Sequence, residues 1–341
     1  MKNILGLLLL ALAGNLVILG CSSSLCTSSG PKALPTSTPT TTPTPKYTAT
    51  TTVTPTVTAT VTTTATVSGI PYVYQTQWGA QGNAPGQFEF PYGIIADTNG
   101  NIFVLDRDNY RVQKFDSSGN FVTQWKSPQF SVMAGICADT SNNIYTVDDG
   151  SECVQKFDNS GNTLAQWGGG STAFSAPRGI ACDSSNNLYV VDTGNQNIQK
   201  FNCNGGLITS WSTQGPWDTV TSNPDGICTD QWGGVYTPDY NNNYVYKYSN
   251  TGTYQCKFGG PGTGPGKFGV LSCGCCVDKK GICFVTDFGN KRVSEFTTTG
   301  SYLCQWGNSG VGALGNIDYL TLSPSGNIYI VDTNTVKVFA P

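Results

Sequence analysis

The chain has 341 residues, 18 Lys+Arg against 21 Asp+Glu, 41 glycines and no histidine, and only 11% of its residues are charged. Lack of histidine removes the commonest general base and the commonest zinc ligand together, and the Gly-rich, charge-poor composition suits strands and turns rather than helices. Beyond residue 67 there are 15 basic and all 21 acidic residues, a balance of −6; an acidic domain repels phosphate backbones, which argues against nucleic acid as a partner.

Residues 1–21, "MKNILGLLLLALAGNLVILGC", place Lys2 before an apolar run from Ile4 to Leu19. This reads as an export signal. The alternative, a transmembrane anchor, needs ~20 apolar residues, and Asn15 interrupts the run. "ILGC" at 18–21 resembles the bacterial lipoprotein box, in which Cys21 becomes the lipidated N-terminus. With Ser22 next, that resemblance implies sorting to the outer membrane or cell surface, with the lipid as the only membrane contact. Residues 22–67 are almost all Thr, Pro, Ser, Ala and Val. They have no apolar period and too little to bury, so they read as a disordered, extended stalk.

From 68 to 341 a hairpin recurs. "NIFVLDRDNYRVQKF" (101–115), "NIYTVDDGSECVQKF" (143–157), "NLYVVDTGNQNIQKF" (187–201) and "ICFVTDFGNKRVSEF" (282–296) are copies of it. Aligned on the Asp that ends the first run, the repeats fall at Asp106, Asp148, Asp192, Asp239, Asp287 and Asp332. A period of 40–50 residues in a β-type sequence signals a propeller of four-stranded blades. Each repeat reads as an inner strand ("GIIAD", 93–97), the hairpin, and an outer strand ending in an aromatic: Trp125, Trp167, Trp211, Phe258 and Trp306. Asx/Gly turns such as "DSSGN" separate the strands. Runs such as Val190-Val191 do not alternate, as expected for strands buried on both faces. The last repeat lacks its outer strand, whereas "YVYQTQWG" (72–79) is an outer strand with no blade before it. The expected fold is therefore all-β, a six-bladed β-propeller closed by the N-terminal strand completing the last blade.

The repeats resemble the NHL family. Pro177-Arg178-Gly179-Ile180-Ala181-Cys182-Asp183 followed by Asn187-Leu188-Tyr189-Val190-Val191-Asp192 and Asn195 carries the likeness most closely. Asp106, Asn109, Arg111 and Phe115, and Asp287, Asn290, Arg292 and Phe296, carry it again. Cys153, Asn197 and Tyr244 replace the Arg in repeats two to four, and Tyr319 replaces the inner-strand Gly in repeat six. The resemblance implies an extracytoplasmic sensor or adhesion module. It also implies a second reading, since lyases and lactonases share the six-bladed ring: a hydrolase or lyase working without histidine.

The six aspartates could form a carboxylate ring, but their place before the turn makes them acceptors for hairpin N–H groups. "GPGKFG" (264–269) matches a phosphate-loop spacing, yet no helix follows it, so it reads as an inter-blade loop. "CGCC" (273–276) invites a metal, but Cys137, Cys228 and Cys276 share an inner-strand register that wants small apolar side chains. The other cysteines are open to disulfide formation in an exported protein, with connectivity unreadable. No cofactor, no metal and no catalytic residue are expected. The rim formed by loops leaving the outer strands and by the hairpin tips mixes aromatics with charge, as recognition surfaces do. Its candidates are Tyr92, Arg107, Tyr110, Arg178, Trp217, Asp225, Tyr240, Phe288 and Lys291, with Phe88 and Phe90 beside them. The opposite rim, of small polar turns, reads as inert. The expectation is a monomeric, surface-anchored binding or scaffold module for a protein or glycan partner.

Overall fold

The computed structural model describes residues 69, 71–168, 174–216, 218 and 220–341. Residues 1–67, where the sequence reading expects a leader ending at Cys21 and a stalk, and Trp217 lie outside the described residues. Within them are 24 strands and no helix, paired as six four-stranded antiparallel sheets.

Blades 1 to 5 follow chain order. Blade 1 runs from inner strand Pro91–Ala96 to outer strand Phe121–Trp125, blade 2 from Met133–Ala138 to Thr163–Gly168, and blade 3 from Pro177–Cys182 to Leu207–Ser212. Blade 4 runs from Cys228–Thr229 to Tyr254–Gly259 and blade 5 from Leu271–Val277 to Tyr302–Trp306. Blade 6 is Ile317–Leu322, Ile328–Asp332 and Thr335–Ala340, and its outer strand is Val73–Trp78. The closing pair is in register from Val73↔Ala340 to Trp78↔Val336. Each inner strand contacts the inner strands on either side, so the ring is complete.

The second strand of every blade is buried throughout: IFVLD, IYTVD, LYVVD, GVYTPD, ICFVTD and IYIVD. Blades stack face to face, so neither face of that strand meets water. Outer strands have a free face and alternate, as in TLAQWG of blade 2.

Three devices recur at the joints between blades. The outer-strand aromatic packs on a turn glycine of the next blade: Trp78 on Gly119, Trp125 on Gly161, Trp167 on Gly205, Trp211 on Gly252, Phe258 on Gly300. A third-strand lysine lies over a second-strand tyrosine ring and donates to a carbonyl of the next blade. Lys156 is 5.2 Å from Tyr145, Lys200 5.0 Å from Tyr189 and Lys247 5.1 Å from Tyr236, with acceptors on Cys203, Asn250 and Thr298. The same tyrosine hydroxyls donate to Asp139, Asp183 and Asp230, so these buried rings carry no stranded polar atom.

The third device explains the repeated hairpin Asp. Each accepts a main-chain N–H from the loop entering its blade: Glu89 to Asp106, Ser131 to Asp148, Ser175 to Asp192, Asn223 to Asp239, Gly269 to Asp287 and Gly315 to Asp332. Side chains of Asn109, Arg111 and Gln113 complete the shell of Asp106. The six carboxylates are structural acceptors; the donor common to all of them is the entering-loop N–H, and the expected hairpin N–H groups add to it at Asp148, Asp239 and Asp287. Arg111 and Arg292 extend the device. Their guanidinium groups donate to the carbonyls of Asn83, Ala84 and Gln87, and of Thr263, Gly264 and Lys267. Gly264 and Lys267 of the second set belong to the "GPGKFG" stretch, which is therefore an inter-blade loop wrapped on an arginine.

Candidate functional site

At one end of the ring stand the hairpin tips. Every hairpin has one non-glycine residue at positive φ: Tyr110 (54°), Glu152 (50°), Gln196 (54°), Asn243 (53°), Lys291 (54°) and Thr333 (57°). Phe90, just before the inner strand of blade 1, has φ 50° as well. Only asparagine adopts this region at small cost; the others give up about 1–2 kcal/mol each. Asx-pinned turns hold these side chains there, and several project into solvent. Phe90 is 51% exposed, Tyr110 50%, Tyr240 49% and Phe288 37%; Lys291 is exposed beside them. Arg107 lies 5.7 Å from the Phe90 ring centre and 5.0 Å from that of Tyr92, and the two rings are near parallel at 14°.

Below the tips, one residue from each blade joins a network across the axis. The Tyr92 hydroxyl donates to Asp225 Oδ2 (3.4 Å) and touches Cys273 Sγ (3.0 Å). The Tyr319 hydroxyl donates to the Asp225 carbonyl (3.1 Å). Arg178 pairs with Asp225 Oδ1 (3.1 Å) and reaches Asp149 Oδ2 (3.8 Å). The rings of Tyr92 and Tyr319 meet edge to face, with centres 5.2 Å apart. Strand register explains the gathering. Pro91, Pro177, Pro224 and Ile317 each pair with a hairpin Asp, so the next residues, Tyr92, Arg178, Asp225 and Asp318, occupy one equivalent position.

Tyr319 then stands where blade 4 has Gly226, whose added Cβ would fall 1.6 Å from the Cys273 carbonyl oxygen. Five blades need glycine there to bring inner strands together. The sixth uses a tyrosine that reaches across the axis to Asp225.

Burial sets the electrostatics. Asp318 is pushed up to about 6 by desolvation, with Asp225 adding to the rise and Arg107 opposing it. Desolvation also raises Asp149, against the pull of Arg178. Burial works against the Arg178 charge, but Asp225 more than restores it. Burial, then Cys273 and Asp225, hold the Tyr92 hydroxyl far above its usual value, so it is a fixed donor.

The opposite end differs from the expectation of an inert rim. A cavity of about 470 Å³ lies there, walled by inner-strand residues such as Ile95, Cys137, Cys182, Cys228 and Leu320, with Lys279 among the turns at its edge. Small polar turns surround it, but the wall itself is apolar and rich in thiols. The "CGCC" cysteines diverge: Cys273 meets Tyr92, Cys275 packs with Cys228, and Cys276 packs against the blade 6 cluster. Among the described residues no three metal-ligating side chains gather.

The structure thus divides the predicted rim residues. Tyr110, Tyr240, Phe288 and Lys291 are exposed tips, and Arg107 stacks on Phe90 and Tyr92. Tyr92 and Arg178 are partly buried and Asp225 is 8% exposed, so these three belong to the floor. Trp217 lies outside the described residues, and Phe88 is fully buried beneath its loop. Sequence reasoning missed Asp149 and Cys273. Tyr319 in place of glycine was the one visible sign of the network.

Comparison with known proteins agrees with this architecture. The NHL repeat family matches residues 174–201. Protein lin-41 of Caenorhabditis elegans is 43% identical over 47 residues, which is 14% of this chain and 4% of that protein. The chain therefore spans a small part of that relative's length. Among solved structures, a streptogramin B lyase superposes with a TM-score of 0.58 at 13% identity, covering 78% of this chain and 97% of the other. A protein of unknown function from Bacteroides thetaiotaomicron gives a TM-score of 0.63 at 19% identity, covering 78% and 76%. A catalytically inactive histidine-to-alanine variant of virginiamycin B lyase from Staphylococcus aureus, solved with quinupristin, gives 0.55 at 13%, covering 71% and 77%. At these identities the likeness is one of fold.

Proposed function

We propose that this six-bladed NHL-repeat β-propeller is a surface-displayed binding module, held by a lipid on Cys21 and a Thr/Pro-rich stalk, that engages a protein or glycan through its hairpin-tip rim. One observation carries the reading: Phe90, Tyr110, Tyr240 and Phe288 are exposed on turns pinned by buried aspartates. Rigid aromatics give large contact area at little cost in side-chain entropy. The Tyr92–Asp225–Tyr319 network crosses the floor beneath and ties it to the rim. The test uses the full chain as bait on native envelope extracts and on a glycan array. Tyr110→Ala and Phe288→Ala are each expected to weaken capture about tenfold, the range of an interface anchor. Ser160→Ala, on the opposite end, serves as control and leaves capture unchanged. Capture that survives both aromatic changes refutes the rim.

A specific observation also favours the second reading, a hydrolase or lyase. Asp318, at about 6, stands where a general base near neutral pH would be useful, with Arg107 and Asp225 acting on it. The inactive virginiamycin B lyase variant has lost a histidine, whereas this chain has none, so such chemistry here would need a floor carboxylate, of which Asp318 is the one raised to about 6. Turnover of a streptogramin B or a simple lactone by the full chain, abolished in Asp318→Asn, would favour that reading over the first.

A further inference from the structure

Neighbouring blades are separate sheets, so the inner strands of adjacent blades are joined by side chains. At the joint of blades 2 and 3 two sulfurs meet: Cys137 Sγ lies 3.1 Å from Cys182 Sγ. That is roughly 1 Å beyond the ~2.05 Å of a formed disulfide. Other ring cysteines have different partners. Cys153 meets the Ser151 hydroxyl (3.1 Å), Cys273 the Tyr92 hydroxyl (3.0 Å) and Cys203 the Asn204 side chain (3.8 Å). Cys275, beside Cys228, gives its thiol to the Tyr236 carbonyl (3.7 Å). Among the described residues a second thiol pair also meets across a joint, Cys228 of blade 4 with Cys275 of blade 5, but the 3.1 Å contact of Cys137 and Cys182 lies in the joint of blades 2 and 3 with both residues on the cavity wall.

We infer that Cys137 and Cys182 are an oxidisable pair that forms a disulfide staple between blades 2 and 3 in the wall of the channel cavity. The pair requires a two-electron acceptor, here a low-mass disulfide such as oxidised glutathione. One cysteine thiolate attacks a glutathione sulfur, breaking its S–S bond and releasing one glutathione thiolate. The second cysteine thiolate then attacks the mixed disulfide, forming Sγ–Sγ and releasing the other. Both cysteine protons end on the two glutathione products, and both electrons go with them. The two cysteines line the cavity, and Cys182 is incompletely covered, which gives a small reagent a route. Burial, then the hydrogen bond with Cys137, push the Cys182 thiol well up. Thiolate is therefore scarce once the joint has packed, which slows exchange there, so the test supplies the oxidant during refolding.

Strand register supplies the controls. Cys137 pairs with Tyr145 as Ala181 pairs with Tyr189, and Cys182 pairs with Leu188 as Ala138 pairs with Ile144. Alanine already stands at both equivalent positions, so Cys137→Ala and Cys182→Ala keep the packing of the ring. The full chain is unfolded and refolded in a glutathione redox buffer or in excess reductant. Free thiols are then alkylated, and the peptides are mapped by mass spectrometry. The expected result is a cross-linked peptide pair containing Cys137 and Cys182, with both of these thiols escaping the alkylation that they undergo in the reduced sample. The cross-link closes a loop of 45 residues, and the oxidised protein should melt about 5–10 °C higher than the reduced one. Either alanine variant should melt at the same temperature in both buffers. Full alkylation of Cys137 and Cys182 after oxidative refolding overturns the inference. So does a cross-link of either residue to a different cysteine. The result is independent of any rim ligand, so its failure would leave the binding reading untouched.

Discussion

Replacing Arg111 with alanine should be among the most damaging single changes in the ring. Arg111 is 3% exposed. Its Nε donates to Asp106 Oδ2 at 2.6 Å, Nη1 to Asn83 O and Gln124 Oε1 at 2.8 Å, and Nη2 to Ala84 O and Gln87 O at 3.0 and 2.8 Å. Removing one partner of a buried ion pair costs about 3–5 kcal/mol. Asp106 keeps the Glu89 N–H and the side chains of Asn109 and Gln113, which places the carboxylate's share at the low end. Of the loop carbonyls, Ala84 O keeps the Gln87 N–H and Gln87 O keeps the Gln113 side chain, so the loss there is mainly that of Asn83 O, about 1 kcal/mol. Together these give a loss of about 4 kcal/mol, or roughly 8 °C in melting temperature at ~2 °C per kcal/mol for a domain of this size. Arg111→Lys keeps one charge but not the fork, and should recover about half. Arg292→Ala should match Arg111→Ala, because its contacts repeat in blade 5. Urea unfolding followed by tryptophan fluorescence measures both. A loss below ~1 kcal/mol in both variants would refute the view that these arginines organise the inter-blade loops.

Gly161→Ala puts a Cβ 2.5 Å from the Trp125 ring at φ +91°, whereas Gly86→Ala, at φ +79°, meets nothing within 4 Å. The first should cost about 3 kcal/mol and the second about 1 kcal/mol, the backbone part alone; equal losses would deny that the Trp125–Gly161 joint is close-packed. Asp318 is raised from 3.8 to about 6 by burial. A carboxyl raised on folding stabilises while protonated, so its contribution is complete below pH ~4 and lost as pH rises through 6. The loss is up to ~3 kcal/mol at 1.36 kcal/mol per unit. Asp318→Asn should flatten stability between pH 4 and 7 relative to the parent chain, and parallel profiles would count against it. Deleting residues 71–78 removes the partner of Thr335–Ala340 and strips Tyr72 and Tyr74 from Trp306 and Phe339. The deleted chain should associate through the open edge on size exclusion; a stable monomer would mean closure is dispensable.

The chain's local grammar was enough to reveal the ring. "GIIAD", "NIFVLD" and "DSSGN" each name a strand or a turn, because hairpin hydrogen bonds join residues close in sequence. The spacing of Asp106 to Asp332 then sets the blade count, and the orphan strand at 72–79 points to its own partner. The rim tips were legible for the same reason, since Tyr110 and Phe288 sit in hairpins whose geometry is local. The floor was not. Tyr92 reaches Asp225 across 133 positions and Cys273 across 181, and Arg178 reaches Asp225 across 47. Such contacts follow from closing the ring and from the tilt of six inner strands toward one axis, which no single repeat encodes. Asp225 could be read from its blade alone as one more rim charge. Only the assembled ring, by bringing Tyr92, Arg178 and Tyr319 around it, buries it at the centre of the network.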